Sequence, residues 1–213
     1  MIIGVCGLIG AGKDTIADYL VNIHQFRRES FANTLKDAVS AVFGWDRELL
    51  EGRTRQSREW REQQDDWWTN RLDMPITPRW VLQYWGTEVV RRSFHDDTWI
   101  ASLENKLRKS QDDVVISDCR FPNEIAAIKQ AGGIVIRVHR GPDPEWYTTA
   151  LGANSGIVPD QLLLKQLGVH ASETAWIGTD FDAVIDNNGT LDHLYSQIND
   201  LVQDRQLAMA DPV

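Results

Sequence analysis

The chain has 213 residues, of which 42% are hydrophobic and 25% are charged. This length and balance are typical of one folded α/β domain and exclude a fibrous or disordered chain. The formal net charge of -9 makes the surface as a whole repel nucleic acid and anionic membrane, so only a local basic cleft is left for a polyanion.

Segments typical of membrane insertion or export are not found in the sequence. No apolar run approaches the roughly 18 residues of a transmembrane helix, and the N-terminal residues MIIGVCGLIG lack the pattern of a signal peptide. The cysteines Cys6 and Cys119 lie in or just after apolar runs, so we expect buried thiols, no disulfide and a reducing compartment. These features predict a cytoplasmic protein with no membrane partner.

The N-terminal part of the chain predicts a strand, a glycine loop and a helix. Residues 2–6, IIGVC, form an apolar β-branched run typical of a strand buried in a parallel sheet. Glycines follow, and from Lys13 onward apolar residues recur at helical spacing. A second helical pattern covers residues 34–43.

Residues 45–77 are highly polar and are interleaved with four tryptophans. We expect an inserted helical lobe on the acceptor side of a cleft. Aromatic side chains are a main source of buried area, so packing of the tryptophans into a core is the favoured interpretation, with stacking on nucleic-acid bases as the alternative. Residues 78–92 begin with Pro78, which favours a first helical turn, and continue as an amphipathic helix.

The C-terminal half predicts three further strands and two helices. Strands at 114–117 and 133–138 flank a helix at 124–131, which makes a second βαβ unit. The Pro- and Gly-rich segment 141–165 is a candidate lid. A strand at 183–185 and a helix at 190–202 close the sheet, and residues 203–213 are expected to fray.

The glycine loop between the first strand and helix has the pattern of a phosphate-binding loop. Gly7 is followed after four residues by Gly12 and Lys13, as in G-x4-G-K, and the flanking strand and helix are the context that this motif requires. Glycines let backbone N-H groups surround a phosphate, and the lysine ammonium reaches the β- and γ-phosphates. The nucleotide-binding residues predicted from the loop are Gly7, Gly10, Ala11, Gly12, Lys13, Asp14 and Thr15.

Asp14 occupies the place where this motif usually has Ser or Thr. A carboxylate there can hold Mg2+ directly or through water, or accept a proton from an attacking hydroxyl. It can also stabilise the positive end of the helix, which is a structural role compatible with either. The sequence leaves these roles open.

Several motifs together resemble the phage deoxynucleoside monophosphate kinases, a branch of the P-loop kinases in which Lys-Asp-Thr replaces Lys-Ser/Thr. The resemblance also includes the related phage kinases of 5-hydroxymethyluracil in DNA. It covers most of the chain, and only the phosphate loop is specific by itself. The similar segments are GAGKDT, SFANTLKDAV, LQYWGTEVVRRSFHDDTWI, ISDCRFPNE, HASET and DAVIDNNGTL.

The resemblance implies a three-layer α/β/α P-loop kinase fold with a mostly parallel sheet, one domain spanning residues 1–213, and ATP with Mg2+ as cofactors. A monophosphate kinase needs cations for the acceptor phosphate and for the transferring phosphoryl group, and a metal. We therefore assign acceptor binding to Lys36, Arg79, Gln83, Arg91, Arg92 and Arg120. Asp118 and Arg120 follow a strand end, where ligands bind in open α/β sheets.

The remaining assignments complete the predicted site. Metal binding falls to Asp14 and Asp118, and Arg140, in the lid, is the cation for the transferring phosphoryl group. By resemblance, Asn187 borders the adenine. The predicted catalytic residues are Lys13, Asp14, Asp118, Arg120 and Arg140.

Three functions are compatible with these residues. The favoured one is transfer of the ATP γ-phosphoryl group to a deoxynucleoside 5'-monophosphate. The second is phosphorylation of 5-hydroxymethyluracil in phage DNA, where a carboxylate base suits the hydroxyl acceptor, and the third is a nucleotide switch without turnover. A phage-encoded protein would act in the host cytoplasm. A homodimer is compatible with the sequence, which does not decide the oligomeric state.

Overall fold

The computed structural model describes residues 1–210, and the chain divides into two compact units. The sheet unit combines Met1–Glu29 with Gln111–Val213, and the helical unit is Ser30–Ser110. The helical unit contains the predicted lobe at 45–77 and extends beyond it on both sides.

Five strands form one sheet in the sheet unit, and every pairing is parallel. The spatial order is β2-β3-β1-β4-β5, so β1 lies at the centre with its carboxyl end between those of β3 and β4. This confirms the expected α/β class. The strands are β1 (Ile2–Cys6), β2 (Arg27–Glu29), β3 (Val114–Ile116), β4 (Ile134–His139) and β5 (Ala183–Asp186).

Helices make up most of the rest of the described chain. The sheet unit holds α1 and α8 to α12, and the helical unit holds α2 to α7 with a π-helix between α6 and α7. In chain order the helices are α1 (Lys13–His24), α2 (Asn33–Phe43), α3 (Arg47–Glu51), α4 (Arg55–Glu62), α5 (Asp66–Leu72), α6 (Pro78–Tyr84), the π-helix Trp85–Arg92, α7 (Thr98–Leu107), α8 (Pro122–Gln130), α9 (Tyr147–Asn154), α10 (Val158–Leu167), α11 (Ala171–Thr174) and α12 (Leu191–Ala210).

Alternation along β1 places helices on both faces of the sheet. Ile3 and Val5 are fully buried in one apolar cluster with residues of α1 and α12. Gly4 points to the opposite face, where a Cβ would lie 2.6 Å from Cδ1 of Ile128 in α8. The result is the expected layering of helices, parallel sheet and helices.

Two parts of the sheet unit differ from the sequence prediction. The edge strand β2, RRE, was not predicted, because only one of its three residues is buried and it carries no apolar run. The terminal helix α12 continues to Ala210 instead of ending near residue 202, since the Gln, Leu, Ala and Met residues there favour helix. Residues 211–213 of the predicted frayed tail lie outside the described residues.

The helical unit has its own aromatic core. Trp45 is 7% exposed and stacks on Phe43 with ring centroids 4.5 Å apart. The Trp68 indole N-H donates to the Phe43 carbonyl at 3.0 Å, and Trp60 packs against the same cluster. Trp67 is 63% exposed. Three of the four lobe tryptophans are therefore packing residues.

The helix predicted at 78–92 changes type within its length. It is α-helical to Tyr84 and then π-helical through Arg92, so the predicted residues are helical, while the change of helix type was not predicted. Gly86 explains part of the change, because its carbonyl accepts a hydrogen bond from the Trp99 indole at 3.0 Å. A Cβ at Gly86 would also lie 2.9 Å from Cδ2 of Leu35, so this turn packs close against α2.

Two further sequence predictions concern the cysteines and membrane-spanning helices. Cys6 and Cys119 are buried free thiols, and the Cys6 thiol donates to the Cys119 carbonyl at 3.2 Å. Within residues 1–210, no helix combines the length and apolar character that crossing a bilayer requires.

Candidate active site

The glycine loop between β1 and α1 adopts a backbone conformation that only glycine favours. Gly7, Gly10 and Gly12 have φ values of 147°, 79° and 104°. A Cβ at Gly7 would lie 2.6 Å from the Val138 carbonyl oxygen, so the loop also approaches β4 too closely for a side chain. Glycines in such conformations allow backbone N-H groups to surround an anion.

Lys13 begins α1 and places its ammonium inside the loop. Its Nζ donates to the carbonyl oxygens of Gly7 at 2.7 Å and Leu8 at 2.9 Å. Burial lowers the pKa of Lys13, and the charge of Arg120 lowers it further. A phosphate near these two cations would offset their mutual repulsion.

Asp14 forms an ion pair with Arg28, a residue that sequence reasoning missed. The Arg28 guanidinium also donates to Asp18 at 2.7 Å and to the Ser117 hydroxyl at 2.9 Å. Its side chain is only 17% exposed, whereas that of Asp14 is 80% exposed. Arg28 thus joins β2, α1 and the end of β3 beneath the loop, and its place in a short polar strand gave no motif to find it.

Arg120 lies where the chain leaves β3, as predicted, and is held from two directions. Its Nη1 donates to Glu173 Oε1 at 3.2 Å and to the Ser172 hydroxyl at 3.4 Å. Its backbone N-H donates at 2.9 Å to Oε2 of Glu124, a carboxylate that is 3% exposed. Asp118 is half-buried on the same turn. Glu124 and Glu173 position this turn beside Lys13.

Three predicted residues meet at a cavity of about 320 Å³ in the sheet unit. The Asn187 side-chain amide donates to the Ala11 carbonyl at 2.8 Å, and the Gly141 N-H donates to Asn188 Oδ1 at 2.7 Å. These bonds connect the phosphate loop, the start of the candidate lid and the turn after β5. The lining residues are Thr15, Arg140, Gly141, Asn187, Asn188, Gly189 and Leu191.

The candidate lid segment contains helices α9 and α10, which the sequence prediction did not include. Arg137 of β4 anchors its start by donating to Asp143 at 2.7 Å. The same guanidinium lies over the ring of Tyr147 at 4.8 Å and that of Trp176 at 5.6 Å. Burial raises the pKa of Tyr147, and Asp143 adds to this, while Arg137 opposes it.

In the helical unit, Lys36 is engaged by an acidic partner. Its Nζ donates to Glu51 Oε2 at 2.7 Å, and Arg47 pairs with both Glu51 and Asp37. Burial alone would raise the pKa of Glu51, but the hydrogen bonds and charges of Lys36 and Arg47 outweigh it and lower that pKa. Lys36 therefore belongs to an ion-pair network with Glu51, Arg47 and Asp37.

The other predicted acceptor residues are distributed along α6 and the π-helix. Arg79 and Gln83, four residues apart on α6, are both exposed. Arg91 is 12% exposed and lies 3.6 Å from Asp96 Oδ1, while Arg92 is 70% exposed and pairs with Glu88 at 2.6 Å. The helical unit thus presents Arg79 and Gln83 together and places the other two arginines beside acidic partners.

The described residues contain no group of three or more His, Cys, Asp or Glu side chains arranged to hold a metal ion. Asp14 and Asp118 each remain beside the loop as single carboxylates. Mg2+ in phosphoryl-transfer sites is commonly bound by one or two carboxylates together with substrate phosphates and water. The donor set therefore fits Mg2+ that binds with a nucleotide.

Comparison with known proteins finds sequence relatives of this chain and solved structures that are similar to it. No family model matches the chain. It is 30% identical over 212 residues to the "Putative deoxynucleotide monophosphate kinase" of Acanthamoeba polyphaga mimivirus, covering 93% of this chain and 94% of the relative. It is 27% identical to the deoxynucleoside-5'-monophosphate kinase of Escherichia phage T5, covering 58% and 70%. Among solved structures it is similar to TT1252 from Thermus thermophilus, with 15% identity over 96% and 97% of the two chains and a TM-score of 0.47.

Three features define a P-loop protein: the parallel sheet, the left-handed glycine loop after β1, and Lys13 at the start of α1. The sequence relatives show that it is a P-loop kinase. The match to the mimivirus protein extends over nearly the full length of both chains. The chain belongs to the deoxynucleoside monophosphate kinase family.

Proposed function

We propose that the protein transfers the γ-phosphoryl group of ATP to a deoxynucleoside 5'-monophosphate, giving the diphosphate. The observation that carries the proposal is the cradle of Gly7, Gly10, Gly12 and Lys13, whose half-buried ammonium lies inside the loop and donates to two loop carbonyls. Family membership supplies the class of acceptor.

On the donor side, the loop N-H groups and Lys13 bind the β- and γ-phosphates in this proposal. Arg120, 43% exposed and oriented by Glu173, neutralises charge that develops on the transferring group. The cavity beside Thr15 and Asn187 holds the nucleoside, and Arg140 at its edge is the cation contributed by the lid. Catalysis consists of positioning and charge neutralisation, with no covalent enzyme intermediate.

Mg2+, when bound with the nucleotide, supplies charge neutralisation at the phosphate oxygens. Asp14 and Asp118 are the carboxylates that would hold it or its water shell. Arg28 fixes the direction of the Asp14 carboxylate through their ion pair.

On the acceptor side, the helical unit contributes the base and phosphate contacts, with Arg79 and Gln83 the exposed pair on α6. Guanidinium groups suit a terminal phosphate because they bind it through two hydrogen bonds. Lys36 acts less directly in this proposal, as the partner of Glu51.

The alternative acceptor, 5-hydroxymethyluracil within DNA, has less support. Trp45, Trp60 and Trp68 pack in the core of the helical unit, which leaves Trp67 as the exposed tryptophan of that lobe for base stacking. The net charge of -9 also disfavours a DNA partner. A nucleotide switch without turnover has no observation of its own in favour.

The test measures ADP formation with Mg-ATP and a panel of the deoxynucleoside monophosphates, with hydroxymethyluracil DNA in a parallel arm. We expect at least one free monophosphate to stimulate ADP release many-fold above the acceptor-free rate, with the diphosphate as product. Stimulation by the modified DNA alone would replace the proposal with the alternative. ATP binding without stimulation by any acceptor would favour the switch. Activity in the host cytoplasm stays a prediction.

A further inference from the structure

Arg61 on α4 is a half-buried arginine without a counter-ion. Among the interactions of residues 1–210, no hydrogen bond and no ion pair involves its guanidinium, and its Nε is buried without an acceptor. A buried N-H without a partner is costly, so native proteins rarely leave one. The positive charge and the Nη donors of this side chain therefore have no acceptor within the described part of the chain.

A glycine makes room for this guanidinium. Gly52 ends α3 with φ 69°, and a Cβ at this position would collide with the Cζ, Nε and Nη2 atoms of Arg61. The guanidinium thus lies directly on the Gly52 backbone.

The neighbouring charges make the site cationic. Burial lowers the pKa of Arg61, and the charge of Arg79 lowers it further, with Arg58 adding a smaller effect of the same sign. The charges of Glu62 and Glu51 oppose this lowering, but Glu62 pairs only loosely with the cluster, since its Oε1 lies 3.7 Å from Arg79 Nε. Arg58 is turned to the backbone, where it donates to the Arg53 carbonyl at 3.0 Å.

Several other cations of the helical unit already have acidic partners. Lys36 and Arg47 share Glu51, Arg55 pairs with Glu59 at 2.6 Å, and Arg92 pairs with Glu88. The exposed Arg53 and Arg71 lie outside this set, and Arg61 differs from them in that its guanidinium packs on Gly52 near the weakly paired Arg79. Guanidinium matches an oxyanion with two or three acceptor oxygens.

We infer that Arg61, lying on Gly52 and aided by Arg79, binds the 5'-phosphate of the monophosphate acceptor. This rests on the proposed function and adds to it a residue outside the predicted acceptor set. A phosphate monoester supplies acceptor oxygens for the Nη groups of Arg61, which unlike Nε are not buried, and a negative charge beside the three arginines. Arg61 is thereby a determinant of monophosphate over unphosphorylated nucleoside.

The experiment compares R61Q with R55Q, which lies on the same helix but is 87% exposed and already ion-paired. In R61Q we expect the KM for the monophosphate to rise about 10- to 100-fold, as for loss of hydrogen bonds to a charged group. The KM for ATP and the kcat should change by less than about threefold. R55Q should behave as wild type in all three constants.

A backbone pair tests the Gly52 contact. G52A should raise the monophosphate KM in the same direction as R61Q, because the new Cβ displaces the guanidinium. G44A is the matched control, since Gly44 has φ 70° at the end of α2 but no atom within 4 Å of a built Cβ. Equal effects of G52A and G44A would overturn the proposed contact.

Binding measurements separate this inference from the proposed function. Calorimetry with the monophosphate and with its deoxynucleoside should show that R61Q loses the preference for the phosphorylated form while retaining ATP binding. Wild-type turnover with an unchanged KM in R61Q would overturn the inference alone. Arg61-dependent monophosphate binding without any turnover would overturn the proposed function alone.

Discussion

The phosphate loop of the sheet unit and the arginine site of the helical unit both bind phosphate in our interpretation, but they are built in different ways. In the loop, three glycines with left-handed φ and one lysine follow a buried strand within seven residues of sequence, Gly7 to Lys13. In the helical unit, the two cations come from different helices, Arg61 from α4 and Arg79 from α6, and neither is held by a close ion pair. The loop binds phosphate mainly through its backbone in this interpretation, and the arginine site binds it through side chains.

This difference predicts different tolerance to substitution. A backbone cradle depends on conformations that no other residue adopts cheaply, and it loses function through a few positions. A cluster of side chains shares its charge among several residues, so removal of one is partly compensated by the others. Four substitution experiments break or sharpen this comparison.

The largest effect is expected for K13M. The ammonium is the buried cation inside the loop, so we expect kcat/KM for ATP to fall on the order of 1,000-fold, comparable to loss of other charge-stabilising groups in phosphoryl transfer. Steady-state kinetics with saturating acceptor measure it. The control is K129M, because Lys129 is a lysine of the same unit whose Nζ donates to the Asp180 carbonyl at 2.7 Å. A loss of less than about tenfold in K13M would contradict the expected difference between the loop and the arginine site in tolerance to substitution.

The next effect concerns stability and the tryptophans of the helical unit. W45A should lower the free energy of unfolding by about 3 to 5 kcal/mol, because it opens a cavity in a core where the indole also donates to Asp65 at 2.7 Å. W67A, at a 63% exposed position, should cost less than about 1 kcal/mol. Chemical denaturation followed by circular dichroism measures both. Similar losses would mean that Trp67 is also a packing residue.

A smaller effect is expected for Arg28, which stabilises the loop from the side. R28Q leaves Asp14 and Asp18 without their cation, and we expect about a tenfold loss in kcat/KM and an altered Mg2+ concentration for half-maximal activity. R27Q is the control on the same strand, since Arg27 pairs instead with Glu29 and Asp112. If Arg28 acts through Asp14, R28Q should have a reduced effect in a D14N background. Full additivity would contradict that coupling.

The fold and the loop could be predicted from the sequence because their signals are contiguous. The β-branched strand, the G-x4-G-K motif and the amphipathic helix follow one another in the sequence, so each supports the assignment of the others. The predicted residues Thr15, Arg140 and Asn187 line one cavity. Arg28 could not be predicted, because its value depends on the pairing of β2 with β3, which brings it to Ser117 across 89 residues of sequence. The π-helix and the role of Arg61 depend likewise on packing against Leu35, Trp99 and Gly52.

The smallest effect is a pH shift that tests the electrostatics of the loop itself. Only the charged form of Lys13 attracts phosphate, and burial together with Arg120 holds its pKa below the ordinary 10.5. ATP affinity should therefore decline as the pH rises through this lowered pKa. R120Q removes one cause of the lowering, so the decline should move to higher pH even though overall affinity falls. Calorimetric ATP titrations across the alkaline range measure the midpoint, and R140Q is the control, because Arg140 is not among the groups that shift Lys13. An unmoved midpoint in R120Q would show that burial alone sets the pKa of Lys13, and the loop would then act as a backbone cradle independent of Arg120.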